Sequence, residues 1–262
     1  MADAGIAPPT AGGGRRLAPI LSGLIFIAIV VGLWKLVVTV FAIPAFMMPP
    51  PEAALAALRD NASAIGQAVF FTLRNAAAGL AVAFIIAMLL AAIFVSSRFT
   101  TRAVLPIVIG LRTAPVLAIA PILIMAFGRG IGTAIVVVVI VSFFPIMVNA
   151  MRGFTATPRS AMELMHVLGA GWFVTFAKVR LPFSVPFIFT GLRSAATSAM
   201  LSAMLAEWLS GAPGLGTLIL DASSYRKSGL LWAGVVVSMV VAFAIFTLTT
   251  SLERRLTAWR TT

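Results

Sequence analysis

The feature that most limits how this chain can fold is a series of long, nearly uncharged apolar stretches. Six of them, Leu17 to Val40, Thr72 to Val95, Ala103 to Phe127, Ile131 to Ala150, Phe183 to Leu209 and Leu231 to Ser251, reach the roughly 20 residues a helix needs to cross a hydrocarbon core. A chain in lipid must satisfy its backbone polar groups internally, which helices do segment by segment. The pattern therefore predicts an all-α integral membrane protein with six transmembrane helices. Composition agrees: 61% of the 262 residues are hydrophobic and 10% charged, whereas soluble domains carry roughly a quarter charged residues. Residues 1–16, rich in Ala, Gly and Pro, read as a disordered cytoplasmic tail, and 17–262 as one membrane domain. The apolar run that begins at Leu17 is too long for a signal-peptide core and reads as an uncleaved first span.

The formal charge of +12 arises from 19 Lys and Arg against 7 Asp and Glu. These basic residues lie between the apolar blocks and form no nucleic-acid motif, so the bilayer is the expected partner. Eleven of them fall in loops on the side of the amino terminus and four on the other, which predicts that both termini are cytoplasmic. There is no cysteine and one histidine, His166, which excludes disulfides and thiolate or His-cluster metal sites. No lysine completes a Gly-x4-Gly-Lys-[Ser/Thr] phosphate loop, and neither His-Glu-x-x-His nor Gly-x-Ser-x-Gly occurs. Nothing in the chain points to ATP binding or to intramembrane catalysis. An ion-gradient transporter is a competing reading, but no internal repeat is visible and Glu207 is the only acid within a predicted span.

Two segments do not span. Met48-Pro49-Pro50-Pro51 followed by Glu52 to Leu58 predicts a short external helix with proline at its start. The cytoplasmic stretch from Arg152 to Pro182 is too long for a simple connector. It predicts a helix over Arg159–Leu168, a turn at Gly169-Ala170-Gly171, and a second piece ending at Leu181-Pro182. Leu164, Met165 and Leu168 beside Glu163 suit an apolar helix that enters a groove on a partner. They equally suit an amphipathic helix lying on the bilayer, and the residues alone leave both open.

This loop resembles that of ABC importer permeases, in which Glu-Ala-Ala, three residues, Gly and a later Leu-Pro pair dock an ATPase. Here Glu163-Leu164-Met165, His166-Val167-Leu168, Gly169 and Leu181-Pro182 keep the spacing, with the two alanines replaced. The run Pro182-Phe183-Ser184-Val185-Pro186-Phe187-Ile188-Phe189-Thr190-Gly191-Leu192-Arg193 is similar to the continuation of that loop in the family. Leu205-Ala206-Glu207 with Gly211 to Ile219, Leu111-Arg112-Thr113-Ala114-Pro115, and Trp259-Arg260 are similar to the nitrate, sulfonate and taurine permeases. The resemblance implies a type I ABC importer permease (MetI-like) fold, working as a pair of identical chains with two cytoplasmic ABC ATPase subunits and an external substrate-binding protein. ATP and Mg would bind on the ATPase. The implied coupling residues are Ser160, Glu163, Leu164, Met165, Leu168, Gly169, Leu181 and Pro182. The implied cargo is a small anionic nutrient of the alkanesulfonate, taurine or nitrate type, with a thiamine-precursor pyrimidine or another uncharged nutrient as the alternative.

Ionisable groups inside spans are costly and mark candidate pathway residues. Arg112 and Arg193 sit about ten residues into their predicted spans, near mid-membrane. They would either face an anion or tie down carbonyls freed by nearby prolines. Glu207, near the outer end of the fifth span, and Arg74, at the start of the second, are expected to form an ion pair, with an outer gate as the functional alternative.

Overall fold

The computed structural model describes residues 17–96 and 116–257. All regular structure among them is helical. The elements are α1 (Leu17–Val40), α2 (Pro51–Asp60), α3 (Ala62–Val95), α4 (Val116–Phe127), α5 (Ile131–Thr155), α6 (Arg159–Val167), α7 (Trp172–Thr175), α8 (Leu181–Ser210), α9 (Leu215–Ser224) and α10 (Ser228–Thr257). Among the described residues, five helical stretches are long and apolar enough to cross a membrane, and α4 is a shorter apolar helix. Of the predicted third span, Ala103 to Phe127, residues 103–115 lie outside the described residues.

The bundle is organised around α5, which packs along α3 on one side and α8 on the other. Ala83, Ala87 and Ala91, four residues apart, form a fully buried stripe on α3. They meet Ile146, Met147, Ala150, Met151 and Phe154 of α5 and Ile188 and Ala195 of α8. Lipid tails are as apolar as leucine, so association rests on close backbone approach at small residues. A Cβ added at Gly79 would lie 2.5 Å from Val138 Cβ, and one at Gly191 would lie 2.9 Å from Asn149 Cβ. Those glycines set the two main crossings.

The helices overrun the predicted spans. α3 begins ten residues earlier, at Ala62 instead of Thr72, and α10 continues to Thr257, past the expected Ser251. That extension brings a second acid, Glu253, into a candidate span, so Glu207 is not alone. α2 forms where the proline run predicts it, with Pro51 at its start. α9 begins at Leu215, directly after the glycine- and proline-containing stretch 211–214.

α1 stands apart, its apolar side chains almost all exposed. It is attached near its carboxyl end: Trp34 lies against Trp232 of α10 at 5.2 Å between ring centroids, Lys35 pairs with Glu52 of α2, and the Trp232 Nε1–H donates to the Met47 carbonyl at 3.1 Å.

Candidate functional site

At one end of the bundle, α6 projects from the body with no buried residue. Pro158 precedes it, and Gly169 closes it in the left-handed conformation at φ +65°. The Gly169 N–H donates to the His166 carbonyl and the Ala170 N–H to the Met165 carbonyl, both at 3.0 Å, which is the Schellman arrangement that satisfies orphan carbonyls. The expected helix and turn are both present. Ser160, Glu163, Leu164 and Leu168 are all exposed, Leu164 at 58%. Met165 turns the other way, toward a small cleft shared with Met162, His166, Trp172 and Arg180. Val167, at 82% exposure, and Phe173 extend the open apolar face. Sequence reasoning passed over both, although their position beside the glycine turn signals a surface without internal cover.

Behind the turn the chain is helical from Trp172 to Ser210, but Phe176–Arg180 form a π-helical turn in which the Leu181 N–H reaches back to the Phe176 carbonyl. Pro182 supplies the physical reason. It lacks an N–H and its ring crowds the carbonyl four residues before it, so the preceding turn widens. Leu181 and Pro182 themselves are exposed. The loop is tied to three helices: covalently to α8, to α5 through Trp172 stacked on Phe176 at 5.2 Å and Phe176 on Phe154 at 4.9 Å, and to α3 through Arg180 Nη1, which donates to the Val95 carbonyl at 3.2 Å.

The second constellation lies at the opposite end of α8. Glu207 is fully buried. Its Oε2 accepts from the Thr72 hydroxyl at 2.9 Å and the Gly216 N–H at 3.1 Å, and its Oε1 accepts from Asn75 Nδ2 at 3.0 Å. The Thr72 oxygen in turn accepts the Leu215 N–H at 2.8 Å. Three segments, α3, α8 and the start of α9, therefore close on one carboxyl group. A Cβ at Gly214 would lie 2.2 Å from that carboxyl, and one at Gly216 would lie 2.0 Å from the Met204 carbonyl oxygen. The Gly-x-Gly spacing exists because two backbones pass each other here.

The expected Glu207–Arg74 ion pair does not form. Arg74 is exposed and its guanidinium lies over the Phe71 ring, 5.0 Å from the centroid. Arg74 is two residues from Thr72, about 200° round the helix, so the two cannot share a face, whereas Thr72 and Asn75, three apart, do. That Thr-x-x-Asn spacing was the available signal.

Arg112 lies outside the described residues. Arg193 Nη1 contacts Glu253 Oε2 of α10 at 2.8 Å, and the Thr190 hydroxyl donates to Glu253 Oε1 at 3.1 Å. Arg193 is thus held by an acid from the overrun of α10, not by proline-freed carbonyls. Along α8 it lies twelve residues after Leu181 and seventeen before Ser210.

The continuous helix through a Pro-punctuated π turn and the projecting α6 lie within residues 83–258, the segment that identifies the class of protein as a binding-protein-dependent membrane transport component. Residues 83–258 match the model of the family described as binding-protein-dependent transport system inner membrane component, and the chain belongs to that family. It is an ABC importer permease subunit, the non-enzymatic membrane part of such a transporter. A "Probable ABC transporter permease protein" of Haemophilus influenzae is 28% identical over 227 residues, covering 87% of this chain and 93% of that protein. The formylaminopyrimidine transport permease protein of Halalkalibacterium halodurans is 28% identical over 251 residues, covering 94% and 98%. Other relatives are named for riboflavin, aliphatic sulfonates, nitrate and taurine. Among solved structures, the inward-facing methionine ABC transporter MetNI shares the fold with a TM-score of 0.64 at 17% identity, covering 75% of this chain and 98% of that one.

Proposed function

We propose that α6 is the element through which this permease couples to its ATPase, with Glu163, Leu164, Val167 and Leu168 entering a groove on that partner. The observation that carries this is a nine-residue helix with no buried residue, which alone in water is marginal, displaying Leu164, Val167 and Leu168 outward. The transporter is then two copies of this chain, two ATPase subunits holding ATP and Mg, and an external binding protein. The α6 end and both termini are cytoplasmic, and Glu207 lies near the external face. Closure of the ATPases draws the two α6 helices together, and the aromatic stack and Arg180 carry that movement into α5 and α3.

For the cargo, one observation bears on the two readings. An anion of the sulfonate, taurine or nitrate type calls for cations left free to meet it, and among the candidates in the described residues Arg193 is already compensated by Glu253 while Arg74 lies over Phe71. This favours a small uncharged nutrient, of the pyrimidine kind named in one relative, over a simple anion. The test is ATP-driven uptake in vesicles holding the complete transporter. Uptake should be competed by uncharged heteroaromatic nutrients and not by sulfonates or nitrate; the reverse order of competition defeats the cargo reading. Failure of Leu164→Asp to reduce ATPase co-purification defeats the coupling assignment.

A further inference from the structure

A cleft of about 340 Å³ opens between α1, α2 and α10, away from α6 and from the Glu207 cage. Its walls are apolar, including Val31, Ala54, Leu55 and Val236. At its rim stand Lys35 and Glu52, an ion pair whose side chains are 58% and 60% exposed. Trp34 also lines it, and the Trp34 Nε1–H is buried without an acceptor.

α1 exposes Leu21, Ile25, Phe26, Ile29 and Leu33 along its length, an apolar surface that suits the hydrocarbon of a bilayer. The Trp34, Lys35 and Trp232 group sits near the end of a span, at the level where aromatic and basic side chains meet headgroups. The space amounts to on the order of ten water molecules, enough for the upper part of one acyl chain and too apolar to hold that much water. Charge selects the headgroup. A lysine ammonium has three donors and a carboxylate two acceptor oxygens, so the pair can stay in contact while each member binds a further group of opposite charge.

We propose that this cleft is a site for a zwitterionic phospholipid with an ethanolamine headgroup. The lipid phosphate meets Lys35, its ammonium meets Glu52, an ester carbonyl accepts the Trp34 N–H, and one acyl chain enters between α1 and α10. The bound lipid fills the gap that separates α1 from the bundle and holds that helix in place. An anionic lipid satisfies Lys35 but sets its charge against Glu52, and a choline headgroup has no N–H to donate.

Native mass spectrometry of the full chain in detergent, alone and with its ATPase, tests this using phosphatidylethanolamine, phosphatidylglycerol and phosphatidylcholine of matched chains. Phosphatidylethanolamine adducts should exceed each of the others by about fivefold, the ratio that about 1 kcal/mol of headgroup contact gives. Glu52→Ala should remove that preference. Leu55→Trp, which fills the cleft from an exposed position, should remove the adduct while leaving the melting temperature of lipid-free protein unchanged. Equal adducts for the three lipids, or an undiminished adduct in Leu55→Trp, overturns the proposal. So does an adduct present on the isolated chain but absent from the assembled transporter, which would mean that a protein surface covers the cleft.

Discussion

Glu207 allows a quantitative test of what its burial is for. In Glu207→Ala, the Thr72 hydroxyl, Asn75 Nδ2 and Gly216 N–H all lose their acceptor. A buried donor left unsatisfied costs about 1–3 kcal/mol. Thr72 and Asn75 can turn toward other acceptors and the Gly216 amide cannot, so the lower part of the range applies, about 3–5 kcal/mol in all. For a chain of this size that corresponds to a fall in melting temperature on the order of 10 °C. Glu207→Gln behaves differently. Its oxygen can occupy the Oε2 position and keep Thr72 and Gly216, leaving its NH2 against Asn75. Because Asn75 Oδ1 is buried without a partner, the Asn75 amide can turn over and present that oxygen, and the net change is within about 1 kcal/mol. Asn75→Asp sets one carboxyl against another and should be as damaging as Glu207→Ala, while Asn75→Asp combined with Glu207→Gln should recover most of the loss. Thermal unfolding of the detergent-solubilised protein reads stability, and ATP-driven uptake reads function. The reasoning is refuted if Glu207→Gln is as destabilised as Glu207→Ala, or if the double variant is no better than Asn75→Asp alone. A Glu207→Gln protein that folds normally but does not transport would show that charge, and not hydrogen bonding, is what the site requires.

Gly214→Ala forces its methyl onto the Glu207 carboxyl and should cost about 1–3 kcal/mol, and Gly216→Ala, which meets backbone at Met204, should cost more; melting temperatures order the two. Leu164→Asp should change stability by less than about 0.5 kcal/mol, as surface substitutions do, yet abolish ATPase co-purification. A double-mutant cycle on Arg193→Ala and Glu253→Ala should give a coupling of about 1 kcal/mol, reduced by the partial exposure of Arg193; zero coupling shows that the contact contributes nothing. Glu52 has its carboxyl held below the ordinary value of 4.5, first by the hydrogen bond from Lys35 and then by its own backbone N–H. A depressed folded-state value means that the contribution of this contact is complete above 4.5 and is lost as pH falls through the lower value. Phosphatidylethanolamine retention should therefore be equal at pH 7 and pH 5.5 and drop only below 4.5.

Local rules made several elements legible before any coordinates. Pro51 starts α2 where proline's fixed φ suits a first turn, and Pro158 and Gly169 bracket α6 within a residue of expectation. Long apolar runs located the helices because the bilayer imposes their minimum length. Their ends were less legible: hydropathy stops at the edge of the hydrocarbon, whereas α3 and α10 run on through their polar ends. α9 was missed because Gly211, Pro213, Gly214 and Gly216 read as a connector, while Leu215 onward folds as a helix packed under α8 and α10.

The amino-acid sequence by itself determined that this is a helical membrane protein with an apolar-faced loop helix, since those properties follow from composition, period and turn chemistry within short windows. Only the tertiary structure decided the partners of its buried charges. Glu207 meets Thr72 and Asn75 across 135 and 132 positions, and Arg193 meets Glu253 of α10. Burial requires that a carboxyl group find donors, but hydroxyl, amide and backbone N–H serve as well as a cation. Which of them it meets depends on the rotation and axial offset of helices far apart in the chain, and no local pattern fixes those.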